Sequence, residues 1–470
     1  MTLYLSQLNE LWGEPSQNNE VNLSNPIGPI CTDSREAVEG CFFVPLIGET
    51  YNGHYFIPMV FEGGAQAAVI SKSFSGIVPK DCLYWLVDDT LEAYQQLALL
   101  HRCDLNIPVI AVTGSTGKTT TRELIKGVLS PLGSVISSAE NNNNDVGVPA
   151  TLFQANKKNA AIIVEMGMRG LGEIQRLSYC SQPDIAVITN IGRAHIGRLG
   201  SRENIAIAKC EVTTSLKPNG VVIIPANDSL LEETLSKFWK GKIIRVDLRD
   251  DYLPCSNLLF YSNSSRNLAS DFLGGVDLQK GILKVDGQEF QLPLDGRHNA
   301  MNFMLALAVA QVLGVSFSKI KTFNLEVPWG RNQRFDLAGI TFLDETYNAS
   351  PESVKASLEL LVSKPGRHFA VLGAMYELGE HSILLHRQVA QLAVDLGLDG
   401  LVIVGDALEA EAMAIAAESL SKLAVVLKPE DAFHALIPWL ESGDFVLLKA
   451  SRAVGLETLI PYLEKHFGKV

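Results

Sequence analysis

A glycine-rich turn between an apolar run and a helical pattern constrains this chain more than any other feature. Residues 109–112 form a continuous apolar run of the kind found in a buried parallel strand. The sequence Thr-Gly-Ser-Thr-Gly-Lys-Thr-Thr follows at 113–120, and apolar residues then recur at helical spacing over residues 124–129. This order of strand, loop and helix is typical of a phosphate-binding loop, and it predicts a site for a nucleoside triphosphate such as ATP.

The loop residues have distinct predicted roles. Glycines let backbone N–H groups face phosphate oxygens, Lys118 reaches the β and γ phosphates, and the Thr119 hydroxyl binds Mg²⁺. The alternative is a glycine-rich turn without a ligand, because Val112 stands where the general pattern has its first glycine. The predicted nucleotide-binding residues of the loop are Gly114, Ser115, Thr116, Gly117, Lys118, Thr119 and Thr120.

Length and patterning predict an α/β protein of three domains. A chain of 470 residues exceeds what one hydrophobic core normally supports. We predict a small N-terminal α/β domain over residues 1–105 and a central domain with a parallel sheet and the phosphate-binding loop over 106–326. A C-terminal doubly wound, Rossmann-like domain is predicted over 327–470, where apolar strands alternate with helical stretches.

Composition excludes several classes of protein. A net charge of −13 argues against general nucleic-acid binding, which normally uses a basic face. The N-terminus lacks the pattern of a signal peptide, and no apolar stretch reaches the length of a membrane span, so we expect a cytoplasmic protein. Seven scattered cysteines without a Cys-x-x-Cys pair indicate neither a disulfide framework nor a zinc site.

Four polar residues after the loop suggest phosphoryl-transfer chemistry when they are taken together. Glu165 ends an apolar strand, where a magnesium-binding carboxylate is expected, and Asn190 and His195 follow the next strand. Lys209 lies in a helical pattern further on. Singly, each residue has an ordinary alternative: a solvated strand end for Glu165, a structural hydrogen bond for His195 and a surface charge for Lys209.

The set of motifs resembles the ATP-dependent Mur ligase family, whose members join an amine to a carboxylate in peptidoglycan precursor synthesis. The resemblance rests on residues 113–120, Glu165, residues 189–195 and Lys209, and it runs nearly end to end. Residues 32–35 and 48–54 resemble a segment that binds the UDP part of the substrate. The Asn-rich stretch 141–149 resembles the loop of the member that adds D-alanyl-D-alanine, and segments 347–351, 377–379 and 449–452 agree with it.

The resemblance implies a reaction and a set of catalytic residues. ATP would activate the terminal carboxylate of UDP-N-acetylmuramoyl-tripeptide as an acyl phosphate, and D-alanyl-D-alanine would then displace phosphate. Lys118, Glu165, His195, Lys209 and Arg331 are the implied catalytic residues. Two Mg²⁺ ions are implied, with Thr119 and Glu165 on the first and His195 on the second.

Lys209 has a special implied role, because an ordinary ammonium group would place a positive charge beside a metal ion. In the family, carbon dioxide converts this amine into a carbamate anion, which makes Lys209 a fourth metal-binding residue. The alternative is an unmodified lysine that binds phosphate or substrate.

The remaining implied contacts concern the nucleotide and the substrates. Asn190, Asn299 and Arg331 would contact the nucleotide, although Arg334 is close enough in sequence to compete with Arg331. The sequence departs from the family at Ala374, where an aspartate is common, so no role is assigned to that position. The predicted substrate-binding residues are Ser34, Arg35, Asn143, Asn144, Asp344, Tyr347, Asn348, Lys449, Ser451 and Arg452.

Two other functions stay open on the sequence alone. One is a sister amide ligase, either a folylpolyglutamate synthase or the tripeptide-forming UDP-muramoyl ligase, although the Asp-Asn-Pro-Arg type of signature expected of the latter is absent. The other is a regulatory ATP-binding protein without transfer chemistry. The sequence predicts a monomer without deciding it, and it does not identify the third residue of the tripeptide.

Overall fold

Three β-sheets follow one another along the chain, each with helices packed against it. They belong to a computed structural model that describes residues 3–16, 22–139, 141–250, 270–321, 323, 325–405 and 408–468. In this described part, no helix is long and apolar enough to cross a membrane, and the cysteines are unpaired thiols. Cys255 lies outside the described residues. The predicted fold class, α/β with parallel sheets, is confirmed.

The first sheet lies within residues 30–87. Its strands are all parallel and are ordered 1-2-3-4. Its first two strands have two residues each, which is too short for a recognisable alternation in the sequence. The elements of this part are α1 (Leu5–Trp12), β1 (Ile30–Cys31), β2 (Phe42–Phe43), α2 (Ile57–Glu62), β3 (Ala67–Ser71), β4 (Tyr84–Val87) and α3 (Thr90–Leu105).

The second sheet has the strand order 13-12-11-10-9-8-5-7-6 among the described residues. Short alternating segments over residues 247–294 predict a β-rich end of this domain, which is confirmed where the structure describes it. Residues 251–269 of that prediction lie outside the described part. Its strands are β5 (Val109–Thr113), β6 (Val135–Ser137), β7 (Ala161–Glu165), β8 (Ile185–Ile188), β9 (Val221–Pro225), β10 (Lys242–Asp250), β11 (Phe272–Asp277), β12 (Ile282–Val285) and β13 (Gln288–Gln291).

The position of β5 decides where a ligand can bind. It pairs in parallel with β7 on one side and with β8 on the other. The carboxyl ends of these three strands therefore share one edge of the sheet, at the point where the order of connections reverses. Open α/β sheets bind ligands in this crevice. The phosphate-binding loop, Glu165 and Asn190 all follow these strand ends.

Helices cover both faces of the second sheet. The α10 helix is apolar on all sides, as expected of a helix enclosed by its neighbours, and it packs against α4 and the sheet. The sequence predicts a helix over about residues 299–313, and α10 begins two residues earlier, at Arg297. The helices are α4 (Lys118–Leu129), α5 (Gly147–Phe153), α6 (Glu173–Ser181), α7 (Ile196–Leu199), α8 (Arg202–Cys210), α9 (Ser229–Phe238) and α10 (Arg297–Val312).

The third sheet is ordered 14-15-19-16-17-18 in the described part of the chain. Only the pair β14–β15 is antiparallel. The elements are β14 (Gln333–Leu337), β15 (Ile340–Glu345), α11 (Pro351–Val362), β16 (His368–Gly373), α12 (Ser382–Asp395), β17 (Gly400–Val404), α13 (Leu408–Ala416), β18 (Leu423–Val426), α14 (Asp431–Leu436), β19 (Phe445–Lys449) and α15 (Ile460–Phe467).

Alternate residues of the third sheet enter different cores, which confirms the predicted doubly wound arrangement. Along β16, Phe369 and Val371 face one hydrophobic cluster, and Ala370 and Leu372 face the other. The second of these clusters continues without a break into the central part of the chain, where it includes Ile196. The sheets lie inside the three predicted domains, and the domain boundaries themselves stay a prediction.

Candidate active site

The phosphate-binding loop has the conformation that its glycines allow. Gly114 has a φ of 144°, and a β-carbon there would lie 1.9 Å from the Thr189 hydroxyl. Gly117 has a φ of 77°, and a β-carbon there would lie 2.9 Å from the side chain of Asn302. Side chains are therefore excluded at both positions, and α4 begins directly after the loop with its N–H groups facing this edge.

Residues after β8 hold the loop from the side. The Asn190 side chain accepts from Thr116 N at 3.0 Å and donates to Thr116 O at 3.1 Å and to its hydroxyl at 2.9 Å. Thr189 donates to the same carbonyl at 2.6 Å, and Gly192 N donates to Ser115 Oγ at 2.9 Å. Asn190, which is predicted to contact the nucleotide, thus stabilises the loop through its hydrogen bonds to Thr116.

The ammonium group of Lys118 lies against the loop that precedes it. It donates to the carbonyl of Gly114 at 2.8 Å and lies 3.4 Å from that of Ser115. Burial lowers the pKa of Lys118, Glu165 opposes this effect, and the positive charge of Arg331 lowers the pKa further. Because Arg331 lies in the C-terminal part of the chain, a cation distant in sequence acts electrostatically on the lysine of the loop.

Glu165 is buried and collects several donors around its carboxylate. Thr119 Oγ1 donates to its Oε2 at 2.9 Å, Arg122 Nη1 donates to the same oxygen at 3.2 Å, and Asn143 Nδ2 donates to its Oε1 at 3.0 Å. The Thr119 hydroxyl and the Glu165 carboxylate are thus adjacent hard oxygens, which fit Mg²⁺. The sequence reasoning missed Arg122, because its contact with Glu165 joins residues 43 positions apart and its other partner, the adjacent Glu123, belongs to no recognised motif.

A metal ion at this edge would depend on more than protein ligands. Within the described ranges, no group of three or more His, Cys, Asp and Glu side chains converges as a metal cluster. Mg²⁺ commonly uses one or two protein ligands together with substrate phosphates and water. The pair Thr119 and Glu165 matches that mode of binding.

Lys209 is a buried amine without a hydrogen-bond partner among the described residues. It lies near the end of α8 and is fully shielded from solvent. Burial holds its pKa well below the usual value, the nearby Lys118 lowers it further, and Glu211 and Glu165 oppose the shift. A lysine amine whose protonation is disfavoured by burial therefore lies near the phosphate-binding lysine and the candidate metal ligand.

His195 joins the central and C-terminal parts of the chain. Its Nδ1–H donates to the carboxylate of Glu377, which leaves Nε2 with a free lone pair. Burial, followed by the charges of Lys118 and Lys209, lowers the pKa of His195 to about 4, against the opposing effect of Glu377. The imidazole is thus neutral at physiological pH, as a metal ligand must be. Glu377 was noted in a motif but was given no role from the sequence.

The two candidate arginines are in different surroundings. The Arg331 guanidinium lies 4.0 Å from the centre of the Tyr347 ring, and its buried Nε has no hydrogen-bond partner in the described chain. Arg334 forms an ion pair with Asp295 at 2.5 Å. Arg331 is the one whose charge reaches Lys118.

Two arginines pack against aromatic rings in the C-terminal part of the chain. Arg452 lies 5.5 Å from the Trp329 ring and 5.4 Å from the Tyr347 ring. The Tyr347 hydroxyl donates to the side chain of Asn141, in the Asn-rich segment of the central part. Asn144 in that segment caps α5, since its side chain accepts from Gly147 N at 2.8 Å.

Several predicted substrate residues are buried and satisfied inside the C-terminal part. The Asp344 carboxylate accepts from Thr346 N at 3.0 Å and from its hydroxyl at 2.6 Å. Lys449 donates to the carbonyl of Asn348 at 3.0 Å and lies 3.5 Å from Glu345. The Ser451 hydroxyl accepts from the backbone amide of Tyr376 at 2.9 Å. These hydrogen bonds stabilise the segments 344–348 and 449–452. The side chains of Asn348 and Arg452 are exposed on the surface of these segments.

Asn299 supports one wall of a cavity of about 280 Å³. Its side chain donates to Asp295 O at 2.7 Å and to Asn332 Oδ1 at 2.9 Å. Asp295, Asn332 and Arg334 line the cavity, together with residues of β15 and α11. Asn299 thus lies behind the lining residues, and its contact with the nucleotide stays a prediction.

The N-terminal part has a smaller cavity of about 210 Å³. His54 stacks on Phe74 with ring centres 4.9 Å apart and accepts from Ser71 N at 3.0 Å. Of the predicted pair here, Arg35 is exposed and bonded to Asp33, whose pKa it lowers to about 2. Neither Ser34 nor Arg35 lines the cavity. The sequence reasoning missed Ser71, the last residue of β3, and Phe74 after it, because no recognisable motif marks this strand end.

Comparison with known families agrees with this geometry. Residues 112–310 match the Mur ligase middle domain, and residues 330–452 match the Mur ligase glutamate ligase domain. The chain belongs to the Mur ligase family. Its relatives include the UDP-N-acetylmuramoyl-tripeptide–D-alanyl-D-alanine ligase of Synechocystis, 40% identical over 94% of this chain and 93% of that protein. The ligase of the same name from Bacillus subtilis is 32% identical over 93% of this chain and 94% of the relative.

Solved structures place this Mur ligase among the same proteins. MurF from Acinetobacter baumannii matches with a TM-score of 0.82 and 29% identity over 99% of both chains. MurF from Thermotoga maritima, solved in complex with ADP, matches with a TM-score of 0.79 and 28% identity over 94% of this chain and 98% of that one. The predicted family resemblance is confirmed.

Proposed function

We propose that this Mur ligase adds D-alanyl-D-alanine to UDP-N-acetylmuramoyl-tripeptide in an ATP-dependent reaction, with ADP and phosphate as the other products. The observation that carries the proposal is the meeting of Lys118, Glu165, His195 and Lys209 at one sheet edge, linked by the electrostatic effects of each on its neighbours. Full-length relatives that bear this name support the choice of substrates.

The reaction requires activation, because a carboxylate is a poor electrophile. An oxygen of the tripeptide carboxylate attacks the γ phosphorus of ATP, and the bond to the ADP oxygen breaks. The dipeptide amine then attacks the acyl carbon, loses a proton and expels phosphate. Lys118 and Arg331 supply positive charge where the transferring phosphoryl oxygens gather negative charge, and preorganised cations of this kind are a major source of rate enhancement.

Magnesium fits the oxygens and the imidazole of the site. Thr119 and Glu165 would hold one ion, and the Nε2 of His195 with a modified Lys209 would hold a second. When bound, such ions neutralise phosphate charge and orient the reacting oxygens. Asn143 and Arg122 hold the Glu165 carboxylate in place through their hydrogen bonds.

Carbamylation of Lys209 has direct chemical support from its surroundings. Carbon dioxide adds to an uncharged amine, and burial lowers the pKa of Lys209, which favours the uncharged form. The amine also lacks a hydrogen-bond partner in the described part of the chain. A carbamate would convert this buried donor into an anionic oxygen ligand among Lys118 and His195.

The substrates are assigned to the three predicted domains. The cavity beside His54 and Phe74, with Ser34 and Arg35 nearby in sequence, suits the UDP part within residues 1–105. Residues 106–326 would bind ATP, and the exposed Asn348 and Arg452 within residues 327–470 are the proposed contacts for the incoming dipeptide. The cytoplasmic location and the monomeric state remain predictions.

Phosphate release and product mass test the proposed reaction. The chain is incubated with ATP, Mg²⁺ and UDP-muramoyl tripeptide, with and without D-alanyl-D-alanine. We expect dipeptide-dependent phosphate release and a UDP-muramoyl pentapeptide. Lys118→Ala should abolish it, whereas Lys126→Ala on the same helix should not, since Lys126 is partly exposed and lies 3.5 Å from Glu326. Turnover only with a free amino acid or a folate would overturn the assignment.

A further inference from the structure

A carboxylate of the C-terminal part contacts the candidate metal-binding histidine. Glu377 follows β16 and has a φ of 65°. One carboxylate oxygen accepts from Nδ1 of His195, and the other accepts from Nε of Arg198 at 3.1 Å. The backbone carbonyl of Glu377 also accepts from Gly197 N at 2.9 Å. One residue therefore holds both the side chain of His195 and the start of α7.

A second carboxylate holds the same loop a few residues earlier. Glu352, on α11, accepts from Arg193 N at 2.9 Å and lies 3.7 Å from the guanidinium of Arg193. The preceding Gly192 N donates to Ser115 Oγ of the phosphate-binding loop. The loop from Asn190 to His195 is thus attached to the phosphate-binding loop on one side and to the C-terminal part at two points on the other.

The orientation of His195 depends on this attachment. His195 has a φ of 67°, a conformation that is uncommon outside glycine and that surrounding contacts must maintain. A histidine that binds a metal through one nitrogen usually donates its other N–H to a carboxylate or carbonyl, which fixes the tautomer and the ring direction. In this chain the acceptor is Glu377, which follows a strand of the third sheet, whereas His195 follows a strand of the second sheet.

We propose that Glu377 is a positioning residue that acts through His195 and completes the second metal site only when the C-terminal part is docked. This inference rests on the proposed function, because the second metal ion is part of it. Docking brings the Glu377 carboxylate to Nδ1, and Nε2 is then directed toward the metal. Assembly of the site is thereby coupled to the position of the C-terminal part, which also brings Arg331 to the nucleotide.

Manganese binding tests this role without relying on turnover. The full chain, with a non-hydrolysable ATP analogue and UDP-muramoyl tripeptide, is titrated with Mn²⁺, and free Mn²⁺ is followed by electron paramagnetic resonance. We expect two ions per wild-type chain. Glu377→Ala should weaken the second ion by about 10–100-fold and leave the first unchanged, as is usual for the loss of such a supporting group. Glu377→Gln should keep most of the affinity, since its amide oxygen still accepts.

Two control variants separate positioning from docking. Arg198→Ala removes the other partner of the Glu377 carboxylate, and Glu380→Ala removes a neighbouring carboxylate that is 89% exposed. Both should bind two ions as the wild type does. In a His195→Ala background, Glu377→Ala should cause no further loss, because its effect passes through the imidazole.

The possible results distinguish the inference from the proposed function. Unchanged binding of the second ion in Glu377→Ala, or a further loss in the His195→Ala background, would overturn the positioning role. A wild-type chain that binds one Mn²⁺ and still forms the pentapeptide would also overturn it while leaving the reaction intact. If the wild type binds two ions and the variants behave as expected, but no pentapeptide is formed, the proposed reaction alone would be overturned.

Discussion

Gly197 and Gly379 approach so closely that a β-carbon on Gly197 would lie 2.4 Å from the amide nitrogen of Gly379. The first glycine belongs to α7 beside His195, and the second follows Glu377. The obstructing atom is backbone, which cannot move aside as a flexible side chain can. The absence of two side chains thus allows the C-terminal part to rest against the loop that bears His195.

Gly197→Ala is expected to separate these parts without damaging the phosphate-binding loop. The added methyl group should push Gly379 away and lower kcat at least tenfold, whereas the affinity for ADP should change by less than about threefold, or about 0.7 kcal/mol. Gly275→Ala is the matched control, because a β-carbon there meets no atom within 4 Å. Steady-state kinetics and calorimetric ADP titration measure the two effects. Unchanged kcat in Gly197→Ala would contradict the close contact.

Arg102→Ala is expected to destabilise the junction between the N-terminal and central parts. Arg102 is buried on α3 and donates to Ser181 O at 2.9 Å, Gln182 O at 3.2 Å and the Asp184 carboxylate at 2.6 Å. Hydrogen bonds that involve a charged group contribute about 1.5–3 kcal/mol each, and the variant loses all of those made by the buried guanidinium. The calorimetric unfolding midpoint should fall clearly.

The control for this variant is another cation on the same carboxylate. Lys217 lies 3.0 Å from Asp184, but its side chain is 40% exposed. Exposed ion pairs contribute about 0–1 kcal/mol, so Lys217→Ala should barely move the midpoint. Equal effects of the two variants would mean that burial is not what makes the Arg102 contacts important.

Asn190→Ala is expected to weaken nucleotide binding through the loop. The variant loses three hydrogen bonds to Thr116, so the loop should lose its fixed conformation. We expect the Kd for ADP to rise about tenfold, equivalent to about 1.4 kcal/mol. Asn159→Ala, which removes bonds to Ser134 and Asn156 away from the loop, is the control in the same titration. A weaker Kd in both variants would indicate general destabilisation instead.

The strands that carry the site could be predicted because local patterns determine them. The apolar runs at 109–112 and 161–164 are buried strands, and the loop glycines have the positive φ angles that only their residue type tolerates easily. Since parallel strands place their carboxyl ends together, the meeting of Lys118 with Glu165 followed from order along the chain.

Contacts between distant segments could not be predicted in this way. The structure adds internal contacts to two predicted site residues: Asn190 bonds to Thr116, and the buried Lys449 donates to Asn348 and lies 3.5 Å from Glu345. Their contacts with nucleotide and substrate stay predictions. Both positions had the expected residue type at a strand end, but sequence gives no direction for a side chain. The pairing of His195 with Glu377 joins residues 182 positions apart, and no periodicity encodes such a contact.

Arg331 and Arg334 are expected to differ when each is replaced by alanine. Arg331 lies over Tyr347 and influences Lys118, whereas Arg334 is paired with Asp295. Arg331→Ala should lower kcat/KM by about 10²–10³-fold, a loss typical for a group that stabilises transition-state charge, with a smaller change in ADP affinity. Arg334→Ala should lower it by less than tenfold. The reverse order of effects in steady-state assays would reassign the nucleotide arginine.

Lys209 and Lys449 provide a direct test of carbamylation, because both lysines are buried and both have lowered pKa values. They differ in their partners: Lys449 donates to Asn348 and pairs with Glu345, while Lys209 has no hydrogen-bond partner among the described residues. We therefore expect ¹³C-bicarbonate to give one carbamate signal by NMR. The signal should disappear in Lys209→Ala and persist in Lys449→Met.

Activity should follow the same chemistry. Removing carbon dioxide from the buffer should lower turnover, and added bicarbonate should restore it in the wild type but not in Lys209→Ala. Acid should lower turnover as carbon dioxide depletion does, because protonation of the amine prevents carbon dioxide from adding to it. Burial lowers the pKa of Lys209, so a larger share of its amine is unprotonated than in an exposed lysine. Full activity without carbon dioxide, together with a loss of activity in Lys209→Ala, would instead show that the unmodified amine acts directly on phosphate or substrate.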